Sequence, residues 1–288
     1  MSTILVLGAR GFIGSAIADF AKAAGHPVRT PRLDFARLLT PEAWQPHLEG
    51  VDIVVNAVGV LRDSHQRPMQ AVHADAPRAL FEACAAQGSR RVIHISALGI
   101  DGNATRYAQT KLLAERALEA HRAAGRLPHA TVVRPSIVFG PGGASSRLFM
   151  TMARLPLLPL PAAALRTRVQ PIAVTDLAEA CLALIQAEVP PARVDAVGPE
   201  ALTLAAFIAT LRTQHGQQRP ARLLPLPEAP SRWSARLGDH LPWQTWCSET
   251  LALLQQDNVG DAAVLGSLLG RPPVSPHHFV RLAWPRCR

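Results

Sequence analysis

Tyrosine is almost missing from this chain, and so is lysine. Of its 288 residues one is a tyrosine, Tyr107, and of the 30 basic residues only Lys22 and Lys111 are lysines. The remaining basic residues are arginines, dispersed without a basic run or interleaved aromatics. The net charge of +9 therefore does not amount to a nucleic-acid surface. Cys84, Cys181, Cys247 and Cys287 stand far apart, which excludes a disulfide framework or paired zinc spacing and fits reduced thiols in a cytoplasm. No metal site is expected. No run of eighteen apolar residues occurs: the closest stretch, 148–165, is broken by Arg154, Pro156, Pro159 and Pro161, so no transmembrane segment is expected. The first strand starts at the third residue, and the expectation is that no signal or transit peptide precedes it.

What is present is concentrated at the start. Ile4 to Leu7 is a four-residue apolar run, the mark of a strand buried on both faces. Gly8, Gly11 and Gly14 follow at a spacing of three, and Phe12, Ile13, Ile17 and Phe20 begin a helical pattern. A strand feeding a helix through such a turn brings backbone N–H groups and the positive end of the helix dipole against a pyrophosphate. Gly8 and Gly11 permit the tight turn, and Gly14 lets the helix pack near the strand. The motif points to a dinucleotide.

A short second strand is expected at 26–30, closed by Pro31. An acid at its end would bond the ribose 2′-hydroxyl of NAD, and an arginine would receive the 2′-phosphate of NADP. Arg29 and Arg32 stand there, Asp34 follows too late for the ribose, and Arg10 precedes the second glycine. NADP(H) is the preferred cofactor on this reading, with NAD(H) possible. Residues 51–55 read as the next buried strand, ending in Ala57, Val58 and Gly59, small enough for cofactor to lie across. A polar loop, a helix over about 69–87, and strands at 91–96 and 131–133 with a helix between them complete a β-α-β-α rhythm. That rhythm predicts an α/β, Rossmann-type, doubly wound parallel sheet.

The chemistry-bearing residues are Ser96, Tyr107 and Lys111. Residues four apart on a helix share a face, so the phenol and the amine lie one turn apart. An unperturbed tyrosine ionises near pH ~10, and a neighbouring ammonium favours the phenolate. Such a tyrosine exchanges a proton with a carbonyl oxygen while hydride moves to or from the cofactor. Ser96, at a strand end, is placed to hold the same oxygen.

The glycine turn, the 56–59 strand end, Ser96, Tyr107 and Lys111, and Arg134-Pro135-Ser136-Ile137 through Pro141 occur in the order of the short-chain dehydrogenase/reductase superfamily. The chain resembles its extended and atypical, epimerase/dehydratase-like branches. Residues 95–99 and the stretch Asp257-Asn258 resemble bacterial relatives of the nucleotide-binding accessory subunit of respiratory complex I. The resemblance implies Tyr107 as acid/base, Lys111 on the nicotinamide ribose, Ser96 orienting the carbonyl, Pro135, Ser136 and Ile137 at the nicotinamide amide, and Asp34 near adenine. It implies a cofactor domain over 1–145 and 171–198, and a mostly helical substrate lobe over 146–170 and 199–288. His73 stands where many relatives carry Asn, and is assigned with Arg147 and Phe149 to the substrate side.

The apolar residues of 142–161, among prolines that forbid a long helix, suggest an apolar substrate or lid. Thr175 or Asp176 is expected to cap a helix to about 187, a last strand lies at 193–197, and Thr203 caps the next helix. Helices are expected at 228–237, 244–255 and 260–269, their apolar faces and Trp233, Trp243, Trp246 and Trp284 closing the pocket or touching a membrane surface peripherally. Two functions follow: an NADP(H)-dependent oxidoreductase acting on a small carbonyl or alcohol, apolar or quinone-like, or a non-catalytic NAD(P)H-binding protein serving complex assembly, quinone metabolism or redox sensing.

Overall fold

The computed structural model describes residues 1–88, 91–241 and 246–283. Strands β1 (Ile4–Leu7), β2 (Val28–Arg29), β3 (Ile53–Asn56), β4 (Arg91–Ile95), β5 (Thr131–Pro135) and β10 (Arg193–Ala196) pair in the order β10-β5-β4-β3-β1-β2, all parallel. β1 and β3 are buried at all four positions, as two-sided apolar runs require. From β1 the chain passes first to β2 on one side and then to β3 on the other. The crevice at their carboxyl ends is where ligands bind in such sheets. The second strand is shorter than its sequence suggests, and a 3-10 turn (Phe35–Arg37) and helix α2 (Pro41–Leu48), with proline at its first position, precede β3.

Helices cover both faces. α1 (Phe12–Ala23) and α6 (Val174–Gln186) bury Ile17, Ala21, Leu177, Cys181 and Leu184 on one, joined by Leu265 of α10 (Ala262–Leu269). α2, α3 (Ala76–Ala86) and α4 (Arg106–Ala123) bury Trp44, Leu48, Leu80, Phe81 and Leu118 on the other. The helix expected over 69–87 does open at Met69, but residues Ala71–Asp75 form a π turn within it, closed by the Ala76 N–H on the Ala71 carbonyl, before α3 continues from Ala76. Pro77 lacks the N–H that would reach the carbonyl of His73, and the wider turn makes room for its ring.

A third apolar core lies beyond the sheet. Phe139, Phe149, Leu158, Leu160, Phe207 and Phe279 meet there. It is built from β6 (Val138–Phe139), α5 (Ala144–Arg154), β7 (Leu157–Pro161), β8 (Arg168–Val169), β9 (Ile172–Ala173), β11 (Leu202–Thr203), α7 (Leu204–Gln214), β12 (Arg222–Leu226) and α11 (Phe279–Ala283). β6 pairs with β9, β8 with β11 and β7 with β12. Prolines do limit 142–161, but an eleven-residue helix fits between Pro141 and Pro156. α8 (Glu228–Asp239) and α9 (Ser248–Leu253) follow; the start of the helix expected over 244–255, with Trp243, falls outside the described residues, as do Trp284 and Cys287.

Thr203 caps α7 by accepting from Ala206 N–H at 3.1 Å. Neither Thr175 nor Asp176 caps α6, which starts after Ala173. Asp176 is buried in its first turn, taking Arg271 Nη2 at 2.8 Å and Val274 N–H at 2.6 Å, and so ties the segment after α10 to the sheet. Trp233 and Leu237 on α8 are 68% and 58% exposed, and Trp233 lines only a shallow surface pocket formed by α8 itself, with Glu228, Ala229, Arg232 and Arg236.

Candidate active site

Beyond β1 the backbone turns at Gly8, with φ +82°, and Gly11 N–H donates to the Gly8 carbonyl at 2.8 Å. A Cβ on Gly14 would lie 2.3 Å from that same carbonyl oxygen, so α1 sits this close to β1 only with glycine there. The N-terminus of α1 carries no side-chain cap and no acid in its first turn. Its N–H groups and dipole are left for an outside anion. Phe12 and Ile13, at its start, are half-buried against the sheet core.

A cavity of about 640 Å³ opens in front of this turn, walled by Gly8 to Gly11, by the segment 30–36 and by Ala57, Val58 and Gly59 at the end of β3. Arg10 and Arg32 line it, exposed and without an acidic partner among the described residues. Asp34 also lines it, but its Oδ1 caps the 3-10 turn by accepting from Ala36 N–H at 3.1 Å. Arg29 is turned elsewhere: its Nη1 donates to the Glu49 carbonyl at 2.6 Å, at the end of α2, and it does not line the cavity. Of the three arginines expected at a 2′-phosphate, two line the cavity. Gln66 and Arg67, from the polar loop after β3, line the cavity too, and no motif marked them.

α4 begins at Arg106 under two caps. Thr105 Oγ1 accepts from Ala108 N–H at 3.2 Å, and the Glu249 carboxylate of α9 accepts from the N–H groups of Arg106 and Tyr107 at 3.3 and 3.2 Å. One turn on, Lys111 Nζ donates to the Ile95 carbonyl at 3.0 Å and lies 3.4 Å from where a Cβ on Gly59 would stand. The amine thus reaches the inner edge of the cavity, where β3 and β4 end. Burial pulls Lys111 down to about 8, with Glu115 opposing.

Tyr107 is half-buried, and desolvation pushes its phenol up to about 12. The lowering expected from a neighbouring ammonium is outweighed by burial. A phenol so placed keeps its proton throughout the neutral range. Ser96 Oγ, at the end of β4, is buried without a hydrogen-bond partner among the described residues, an unmet valence that costs on the order of 1–3 kcal/mol.

The remaining assigned residues are engaged by the protein. His73 Nε2 accepts from Val60 N–H at 2.9 Å, so the ring proton sits on Nδ1 and goes to Thr110 Oγ1 at 3.1 Å, which in turn donates to the Arg106 carbonyl at 2.8 Å. Burial first, then Lys111, pushes His73 down to about 2, so it stays neutral, edge-on to Tyr107 at 5.3 Å. Ser136 Oγ donates to the Asn258 carbonyl at 3.1 Å and accepts from Gln170 N–H at 3.2 Å; Pro135, Ser136 and Ile137 do not line the cavity. Phe149 is a core residue, edge-on to Phe207 at 5.5 Å, because α5 turns its apolar face into the third core. Arg147 is exposed on the opposite side of that helix.

The sequence reading missed what fixes α4 on the sheet. Arg134 of β5 pairs with Glu115, both nearly fully buried, and with Asp101 in the loop before α4. Arg134 Nε lies 2.9 and 3.0 Å from the two Glu115 oxygens. Glu115 comes one turn after Lys111 on the buried face, which was the available signal. Among the described residues no group of His, Cys, Asp and Glu could hold a metal, and no helix is long and apolar enough to cross a membrane.

The glycine cradle, the uncapped α1 and the unpaired arginines fit a dinucleotide, and the comparisons agree. The chain is 31% identical over 122 residues to the ceramide reductase of Caulobacter vibrioides, covering 42% of this chain and 37% of that protein. It is 25% identical over 194 residues to the mitochondrial NADH dehydrogenase (ubiquinone) 1 alpha subcomplex subunit 9 of Mus musculus, covering 60% and 50%. The chain thus spans half or less of the length of these relatives. The solved UDP-glucose 4-epimerase of Thermus thermophilus, a complex with NAD, shares the fold with a TM-score of 0.72 at 18% identity, over 99% of both chains. The NAD dependent epimerase/dehydratase family matches residues 4–196, from the first residue of β1 to the last of β10, and the chain belongs to it.

Proposed function

We propose that this protein is an NADP(H)-dependent oxidoreductase that reduces a carbonyl group on a small, apolar or quinone-like substrate. The observation that carries the reading is the position of Lys111, whose amine bridges the Tyr107 helix and the Gly59 edge of the dinucleotide cavity. A bound nicotinamide supplies the hydride. Tyr107 gives a proton to the developing alkoxide, Ser96 Oγ donates a hydrogen bond to the same oxygen, and the Lys111 ammonium stabilises the phenolate left behind. Burial that keeps the phenol protonated suits this donor role. Arg10 and Arg32 would receive the 2′-phosphate. On this reading 1–145 and 171–198 hold the cofactor, while 146–170 and 199–288 form the substrate side.

A second reading is a non-catalytic NAD(P)H-binding protein, favoured by the mouse complex I subunit among the relatives. The exposed Trp233 and Leu237 would then meet a partner or a membrane surface. The two separate on one measurement: NADPH oxidation with a panel of ketones, aldehydes and quinones. Wild-type turnover, falling about 100-fold or more in Tyr107→Phe while NADPH affinity holds, supports the enzyme. NADPH binding without turnover on any of them rejects it.

A further inference from the structure

The loop between β3 and the π turn belongs to no motif, yet it is fastened at both shoulders. Arg67 N–H donates to the Ser64 carbonyl at 3.1 Å and to Ser64 Oγ at 3.0 Å, and Met69 N–H donates to Asp63 Oδ1 at 2.7 Å. Asp63 pairs with Arg106, the first residue of α4. Arg62 donates to the Gly238 carbonyl at 2.8 Å and the Trp246 carbonyl at 3.1 Å, at the end of α8 and just before α9. The crest of the loop therefore sits in a fixed place, and Arg67 is on it, lining the cavity with no acidic partner among the described residues.

Its place differs from that of the other two cavity arginines. Arg10 and Arg32 come from the glycine turn and the end of β2. Arg67 enters from the β3 side, and its charge is felt at His73, whose Nε2 lies 3.6 Å from the Cβ position of Gly59. The glycine turn, where backbone N–H groups await a pyrophosphate, lines the same cavity.

We propose that Arg67 is a cofactor-binding residue that grips the pyrophosphate bridge of the dinucleotide together with the glycine turn. The proposal rests on the cavity being a dinucleotide site and deepens that reading: Arg67 governs affinity for NADH and NADPH alike, whereas Arg10 and Arg32 answer only to the 2′-phosphate. A guanidinium suits the task because it offers paired donors to phosphate oxygens, and the bonds at Ser64 and Asp63 mean that little loop ordering is left to be done on binding.

Calorimetric titration of the full chain and of Arg67→Ala with NADH and with NADPH, at one ionic strength, tests this. The dissociation constant is expected to rise about tenfold or more for both dinucleotides, by the same factor, as loss of a charge-assisted hydrogen bond implies. Arg67→Lys, which keeps the charge but not the fork, should recover part of it, and melting of both variants should match wild type because Arg67 is exposed. Unchanged affinity for both dinucleotides, or a loss confined to NADPH, overturns the proposal. Failure of the wild-type chain to bind either one overturns the dinucleotide reading beneath it, and the proposal with it.

Discussion

Around the Gly8 turn, Arg10, Arg32 and Arg67 stand exposed without acidic partners among the described residues, whereas near the start of α4 Lys111, His73, His94 and Tyr107 are pushed towards their neutral forms. Burial lowers Lys111, His73 and His94 and raises Tyr107. The first region presents fixed charge to solvent, which costs little and attracts an anion. The second withdraws ionisable groups from water, where a proton is handed over more readily than a charge is held. The contrast says why the two regions need different supports. Exposed arginines need only a loop to carry them, but a buried amine needs an anion nearby, and Glu115 supplies it from the next turn of α4.

That support is the most sensitive point of the comparison. Glu115→Ala would leave Arg134 buried beside Asp101 alone, with Asp101 largely exposed. Breaking a buried pair typically costs 3–5 kcal/mol, and the remaining partner puts the expected loss near the lower end, about 3 kcal/mol, in urea unfolding. Cofactor affinity of the folded variant should stay close to wild type, since Glu115 does not line the cavity. A loss under about 0.5 kcal/mol, the scale of an ordinary surface substitution, would mean that α4 is held by packing alone.

Next in size is Arg32→Ala. Losing a charge-assisted contact to the 2′-phosphate should weaken NADPH about tenfold or more and leave NADH unchanged. Equal affinity of the wild-type chain for the two dinucleotides would remove the basis for reading Arg10 and Arg32 as phosphate ligands.

The cofactor end was the legible one. A four-residue apolar strand, three glycines and a helical pattern are local signals within twenty residues, and the alternation of strands and helices fixed the sheet's class. Tyr107 and Lys111 were legible because four residues make one helical turn. What sequence did not disclose depends on long-range closure. Arg29 and Arg32 are three residues apart, and only the fold shows that one turns to Glu49 and the other to the cavity. Glu249 reaches the Arg106 and Tyr107 amides from more than 140 residues away, and Phe149 resembles a pocket residue until Phe139 and Phe207 are seen around it. The wrong sign for Tyr107 has the same origin: a neighbouring charge is visible in sequence, and desolvation is not.

One further expected effect bears most directly on the contrast between the two regions. Lys111 ionises near 8 in the folded protein against an ordinary 10.5. Below about pH 8 both folded and unfolded chains carry the proton, and the fold bears the cost of a buried charge. Between 8 and 10.5 the unfolded chain binds the proton and the folded one does not, so this group's contribution to stability rises with pH. Activity should run the opposite way, because the ammonium is the form that stabilises the phenolate: reductase turnover should be about half its neutral plateau near pH 8 and fall further above it. Lys111→Met should remove the gain in stability between pH 8 and 10.5, measured by urea unfolding at each pH, without weakening the fold at about pH 7. Turnover that stays flat through about pH 9 in the wild-type chain would show that the amine is not needed in its charged form, and that α4 differs from the arginine-lined cavity in burial but not in chemical role.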